Sequence, residues 1–172
     1  MMNSAVTLSK PLESRLAASR ILVVDDQAHM RKLIGTMLKG HGVRFIQEAS
    51  NGLEALKCLG QETPDVVLLD WDMPSMDGLE FIRKVRASKH GIADIPIIML
   101  TGHGERWRVI EAARLGVHEY LVKPISIKSL LERIGAVLLN PQEIRKVEGT
   151  SSRRFEKAGG PAAQRQSIVT PR

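Results

Sequence analysis

The chain has 172 residues, with 25 Lys and Arg against 19 Asp and Glu, a net charge of +6 and a pI near 9.8. That length suits one domain with tails better than two full domains. A single cysteine, Cys58, excludes an internal disulfide and a thiolate zinc site, and no apolar run reaches the ~18 residues that span a membrane.

Residues 1–18 show little periodicity and include Pro11, and they lack the apolar core of a secretory signal. The segment 1–19 is expected to be a tail, and the protein to be cytoplasmic. A strand is predicted over Ile21–Val24, an unbroken apolar run that ends in Asp25-Asp26. Met30, Leu33, Ile34, Met37 and Leu38 follow helical spacing up to His41-Gly42. Val43 to Ala49 interleaves Arg44, Gln47 and Glu48, as an edge strand does. Asn51 with Glu54 has the form of a capping box ahead of Leu53, Leu56 and Leu59.

Val66–Leu69 is a second buried-strand pattern and ends in Asp70. Asp77 with Glu80 repeats the capping device before Phe81, Ile82 and Val85. Ile97–Leu100 leads to Thr101, a fourth helix is predicted over 104–115, and Tyr120–Val122 leads to Lys123-Pro124. Ser126 is placed to cap a fifth helix carrying Ile127, Leu130, Leu131, Ile134 and Leu138 on one face. Apolar strands without polar alternation fit a parallel sheet covered on both sides. Five strand–helix pairs with right-handed crossovers predict a doubly wound α/β sandwich over residues 20–140.

The basicity belongs to the ends. Residues 1–20 hold Lys10, Arg15 and Arg20 against Glu13, and residues 141–172 hold seven basic side chains against three acidic ones, so the middle balances at zero. Residues 141–172, rich in Gly, Ser, Gln and Arg, are expected to be a basic and mostly disordered tail. The tail is read first as a solvated end. The alternative is a binder of DNA or another polyanion.

In open α/β sheets, ligands bind at the carboxyl ends of the strands. Four strand ends here carry Asp25-Asp26, Asp70, Thr101 and Lys123-Pro124. Converging carboxylates repel one another unless a cation intervenes, and Mg2+ suits a few carboxylates plus a phosphate. Lysine and a hydroxyl both serve phosphate oxygens. The set reads as a Mg2+-assisted phosphoryl site with a carboxylate nucleophile. Each residue alone has an ordinary explanation as a cap or turn; the joint pattern does not.

Ile21-Leu22-Val23-Val24-Asp25-Asp26, Asp70-Trp71-Asp72-Met73-Pro74 with Met76-Asp77-Gly78, Met99-Leu100-Thr101-Gly102 and Tyr120-Leu121-Val122-Lys123-Pro124 resemble the receiver domain of two-component response regulators. The resemblance covers residues 20–140. It implies a flavodoxin-like (βα)5 sandwich with strand order 2-1-3-4-5. Asp70 would be the phosphoacceptor, supplied by a histidine kinase or a histidine phosphotransfer protein. Asp26, Asp70 and the Asp72 backbone carbonyl would hold Mg2+, with Mn2+ as a substitute, and Asp25 would act mainly through water. Lys123 would pair with Asp70, its bond to Pro124 being cis. Thr101 and Tyr120 would be the switch pair. The protein would then be a signalling module and not a turnover enzyme.

Asp72 and His103 border the phosphoryl position in that family, so they are expected to set its lifetime, or else to face solvent. The 32 residues after Asn140 are too few for a helix-turn-helix domain. This predicts a stand-alone receiver that acts through protein partners at the face of the fourth helix, fifth strand and fifth helix, the same face offering a homodimer contact. Asp70-Trp71-Asp72 also matches the Asp-x-Asp of haloacid-dehalogenase-type phosphatases. There the pair lies on the first strand, whereas here an acidic pair lies upstream and Met73-Pro74 follows. Trp107 is expected either to anchor a partner or to pack along its own helix. His29, His41, His90 and His118 are expected to be solvated, and Cys58 to be buried packing.

Overall fold

The computed structural model describes residues 7–89, 91–102 and 106–140. Five parallel strands, β1 (Arg20–Val24), β2 (Phe45–Ala49), β3 (Val66–Asp70), β4 (Ile97–Thr101) and β5 (Glu119–Val122), form one sheet in the order β2-β1-β3-β4-β5. Register is fixed by pairs such as Leu22 with Gln47, Leu22 with Val67, Leu69 with Met99 and Met99 with Tyr120. The strand period of two sorts the side chains between two cores. Leu22, Val24, Val67, Leu69, Ile97, Met99 and Tyr120 point to one face. Ile21, Val23, Val66, Leu68, Ile98, Leu100 and Leu121 point to the other.

Helices close both faces. α3 (Gly52–Gln61), α4 (Gly78–Arg86) and α5 (Arg106–Arg114) cover the first face, through Ala55, Leu59, Phe81, Ile82, Val85 and Ala112. α2 (Ala28–Lys39) and α6 (Ile127–Leu139) cover the second, through Ile34, Leu38, Leu130, Leu131, Ile134 and Leu138. The Asn51, Asp77 and Ser126 side chains accept the expected N-terminal amides of α3, α4 and α6 at 2.9, 2.8 and 3.1 Å. One capping detail differs. The Glu54 carboxylate accepts from the backbone N–H and hydroxyl of Ser50, at 2.7 Å each, in place of the Asn51 N–H.

The N-terminal segment departs from expectation. Residues Lys10–Ala18 form a sixth helix, α1, on the face already held by α2 and α6. Pro11 sits in its first turn, where no intrahelical donor is lost. Leu16 is fully buried, and Leu12 lies against Gly135 of α6. A Cβ at Gly135 would stand 3.1 Å from the Leu12 side chain, so the missing methyl is what lets α1 approach. The helix is weakly amphipathic on its own account, and packing makes it. Of the helix predicted over 104–115, Arg106–Arg114 is helical, and residues 104–105 lie outside the described residues. Residues 141–172, with the expected basic tail, lie outside the described residues. No helix among the described residues is long and apolar enough to cross a membrane.

Candidate functional site

The strand order reverses between β1 and β3, and the crevice at their carboxyl ends is where such sheets take ligands. β1 delivers Asp25 and Asp26 there, and β3 ends on Asp70. One carboxylate oxygen from each of the three lies within 4.8 Å of the others. Asp25 is fully buried and Asp70 nearly so, whereas Asp26 is exposed. Two of these charges are thus withdrawn from water and one faces it.

Lys123, just beyond β5, sends Nζ to Asp25 Oδ2 at 2.8 Å and to Asp70 Oδ1 at 3.0 Å. The resemblance implied a pairing with Asp70; the lysine in fact bridges both buried carboxylates. The other Asp25 oxygen accepts the Gln27 N–H at 2.9 Å. Burial pushes the Asp70 carboxyl up to about 6, against the downward pull of Lys123 and with Asp25 adding to the rise. Burial alone would lower Lys123, but its hydrogen bonds to Asp25 and Asp70 outweigh that and raise its pKa. Three carboxylates therefore face one ammonium. A hard, oxygen-seeking divalent cation fits this donor set by charge and by ligand type.

Thr101 closes β4 beside β3 and is fully buried. Its carbonyl accepts the Lys123 N–H at 2.7 Å, which ties the two residues through backbone. Tyr120 faces inward from β5, 7% exposed, in the core with Met99 and Ala112. The Lys123–Pro124 peptide bond is cis. His103 lies outside the described residues.

Asp72 stands on the rim, engaged by Arg108 of α5. Arg108 Nη1 reaches the two Asp72 carboxylate oxygens at 3.0 and 2.9 Å. The Trp107 ring meets Trp71 edge-on, 6.2 Å between centroids, and Arg108 of its own helix lies 5.3 Å from its centroid, while the residue stays 54% exposed. Gly78 answers a tight approach below: a Cβ there would lie 2.6 Å from the Asp70 carbonyl oxygen. Its N–H donates to the Trp71 carbonyl at 2.9 Å, which holds the start of α4 against the loop that follows β3.

Sequence reasoning missed Arg31 and Arg108. Arg31 donates to the Asp25 carbonyl at 2.7 Å and pairs with Glu48 at 3.1 Å, bracing the acidic turn from α2 and β2. Both arginines act over separations of six to thirty-six residues, so no local spacing signals them.

The histidine and cysteine expectations hold only in part. His29 is exposed, while His41 Nδ1 lies 2.9 Å from the Met37 carbonyl oxygen. His90 lies outside the described residues. His118 is not solvated: it is half-buried at the amino end of the sheet, and its Nδ1 accepts the Ile97 N–H at 3.2 Å. Burial, with Arg86 adding to it and Asp94 opposing, holds its ring down to about 4. Cys58 is half-buried against the α3–α4 core, and burial raises its thiol pKa.

The chain matches known proteins in the same region. Residues 21–135 match the model of the response regulator receiver domain. Chemotaxis protein CheY-3 of Vibrio cholerae is 36% identical over 118 residues, which are 69% of this chain and 90% of the relative. The solved structure of Vibrio cholerae CheY4 superposes with a TM-score of 0.64 at 31% identity, covering 69% of this chain and 98% of that one. The CheX–CheY–BeF3–Mg2+ complex of Borrelia burgdorferi gives 0.64 at 26% identity, covering 69% and 88%. Motif order, sheet topology and these likenesses agree: the chain belongs to the response regulator receiver family.

Proposed function

We propose that the chain takes a phosphoryl group onto Asp70 from a phosphohistidine of a histidine kinase or phosphotransfer protein. The observation that carries this is the convergence of Asp25, Asp26 and Asp70 with Lys123 bridging the two buried carboxylates. An Asp70 oxygen attacks phosphorus, the O–P bond forms as the donor N–P bond breaks, and the imidazole leaves with the electron pair. Asp26, Asp70 and the Asp72 backbone carbonyl would hold Mg2+, or Mn2+ in its place, with Asp25 acting mainly through water. When bound there, the cation supplies the positive charge that lets an anionic donor approach three carboxylates. The related Borrelia burgdorferi protein was solved with Mg2+ and BeF3, which supports a site of this kind.

Lys123 and Thr101 then hold phosphoryl oxygens, the lysine by charge and the threonine by its hydroxyl. The new group brings roughly −1.5 to −2 charges and three acceptor oxygens. It favours whichever conformation brings Thr101 and Lys123 closer, and only by that difference in interaction. Movement of Thr101 makes room for Tyr120, which lies inward in this structure. The readout is the face of α5, β5 and α6, where Trp107, Ile110 and Val122 are exposed. A protein partner or a second copy would bind there. The chain is in this account a cytoplasmic signalling module whose only turnover is loss of its own phosphoryl group, at a rate set by Asp72 and His103.

Incubation with Mg2+ and a small acyl-phosphate donor should add one phosphoryl group to the wild type by mass spectrometry and none to Asp70→Asn. Equal incorporation in both would sink the assignment. Asp72→Asn and His103→Ala should each change the decay rate of the phosphorylated form; unchanged rates remove those two roles.

A further inference from the structure

Phosphoryl chemistry at Asp70 makes no use of Arg108, yet Arg108 is the side chain that spans from the acceptor loop to α5. Its guanidinium lies 5.0 Å from the centroid of the Trp71 ring and 5.3 Å from that of Trp107. Its Nη1 holds both oxygens of Asp72. The Arg108 side chain is only 16% exposed, although its partner Asp72 is 54% exposed. A planar, always-charged group can accept two ring contacts and a carboxylate together; an ammonium cannot.

We propose that Arg108 is a positioning residue that joins the acceptor loop to α5, so that occupancy of the acidic site is felt at Trp107 on the exposed face. The loop is firm on its other side. The Trp71 N–H donates to the Leu100 carbonyl at 3.0 Å and its carbonyl accepts from Gly78 at 2.9 Å. Charge arriving at Asp70 therefore acts on side chains more than on backbone. Trp71 adjoins Asp70 in the chain, and Asp72 follows it. Added negative charge at Asp70 repels the Asp72 carboxylate and attracts the Arg108 guanidinium, so both halves of the ion pair respond. Arg108 lies against both indoles, which also meet each other edge-on, and its displacement changes the surroundings of each. The route is a run of direct contacts, Asp70 loop to Asp72 and Trp71, to Arg108, to Trp107, which is what coupling between sites physically requires.

This inference rests on the phosphoacceptor assignment, and the chain's two tryptophans, one on the loop after β3 and one on α5, allow the two to be separated. Indole N–H resonances of the full chain would be followed as Mg2+ and beryllium fluoride are added. In the wild type both Trp71 and Trp107 should shift. In Arg108→Ala, Trp71 should still shift and Trp107 should lose most of its response. Asp72→Asn should reduce the Trp107 response as well, and the double variant should lose no more than Arg108→Ala, since both substitutions break one unit. Arg108→Lys keeps the charge without the two-sided ring contact, so it should restore only part of the shift. If the alanine variant does not fold, the lysine variant decides. A full wild-type response of Trp107 in the folded Arg108 variant overturns the role of Arg108. A wild type in which neither tryptophan moves overturns the acidic-site assignment, and this inference falls with it.

Discussion

The two ends of the sheet bury charge in different ways. At the carboxyl end, Asp25, Asp26 and Asp70 face a single ammonium, and burial drives Asp70 up to about 6. At the amino end, Arg86 at the close of α4 directs its charge to backbone carbonyls of the segments that lead into β4 and β5. It donates to the Ala93 carbonyl at 2.7 Å and to the Gly116 carbonyl at 2.9 Å, while His118 accepts from Ile97. Burial lowers Arg86 to about 10. A buried charge is thus no sign of a ligand site by itself. The carboxyl end is distinguished by like charges gathered beyond the capacity of their partner; the amino end distributes unlike groups over fixed carbonyls and holds loops together.

The largest expected effect tests the charge imbalance directly. Lys123→Met removes the one cation shared by two buried carboxylates, and breaking such a set costs about 3–5 kcal/mol. The urea midpoint should fall accordingly without Mg2+, and Mg2+ should recover part of the loss by taking the vacated electrostatic role. An unchanged midpoint would mean that the carboxyl end is not under charge tension, and the contrast between the ends would dissolve.

The next effect concerns how the amino end is closed. α1 runs down to Ala18 just ahead of β1, and its Leu16 is fully buried with Ile21, Leu38 and Ile134 in the same core. Leu16→Ala should cost about 2–4 kcal/mol by transfer and cavity terms together. Phosphoryl uptake at Asp70 should stay as in the wild type, since α1 touches the face opposite to α4 and α5. Loss of uptake in folded Leu16→Ala would show that the two ends are not independent. Thermal melts and mass spectrometry of the same sample check both halves.

Much of this arrangement is written locally. Strands β1, β3 and β4 are apolar runs that end on the polar residues of the site, and the helix caps at Asn51, Asp77 and Ser126 lie where hydrogen-bonding side chains stand three residues ahead of their amides. Asp25, Asp26, Asp70 and Lys123 could be brought to one crevice by topology alone. α1 could not be read the same way. Lys10–Ala18 has a weak apolar face, and it is helical because Leu16 and Leu12 find α6 and the notch at Gly135. Arg31, Arg86 and Arg108 are ordinary surface residues by composition. Their roles come from carbonyls and carboxylates that only the folded chain brings within reach. His118 departs from the expectation for the same reason: solvation is the default for a lone histidine, and its contact with the Ile97 N–H comes from across the sheet register.

The smallest expected effect is a pH dependence at the amino end. His118 has an ordinary pKa of 6.5 and is held to about 4 in the fold, chiefly by burial, then by Arg86, with Asp94 pulling the other way. Between those values the unfolded chain binds a proton that the folded chain does not, so this residue withdraws stability as pH falls from 6.5 toward 4. Protonation would also cost the Ile97 N–H its acceptor, because Nδ1 would become a donor. His118→Gln keeps an oxygen to accept that N–H and removes the titration. Between about pH 7 and pH 5 the wild type should lose on the order of 1–2 kcal/mol more than the variant in urea unfolding. Asp70 works in the opposite sense, since its raised pKa makes the folded form bind protons first below about 6, but it does so in both proteins and cancels in the difference. Equal pH profiles would mean that His118 is not withdrawn from water in the folded chain. A larger loss in the wild type would show that the amino end is stable because its histidine stays neutral, whereas the carboxyl end carries charge that awaits a counter-ion.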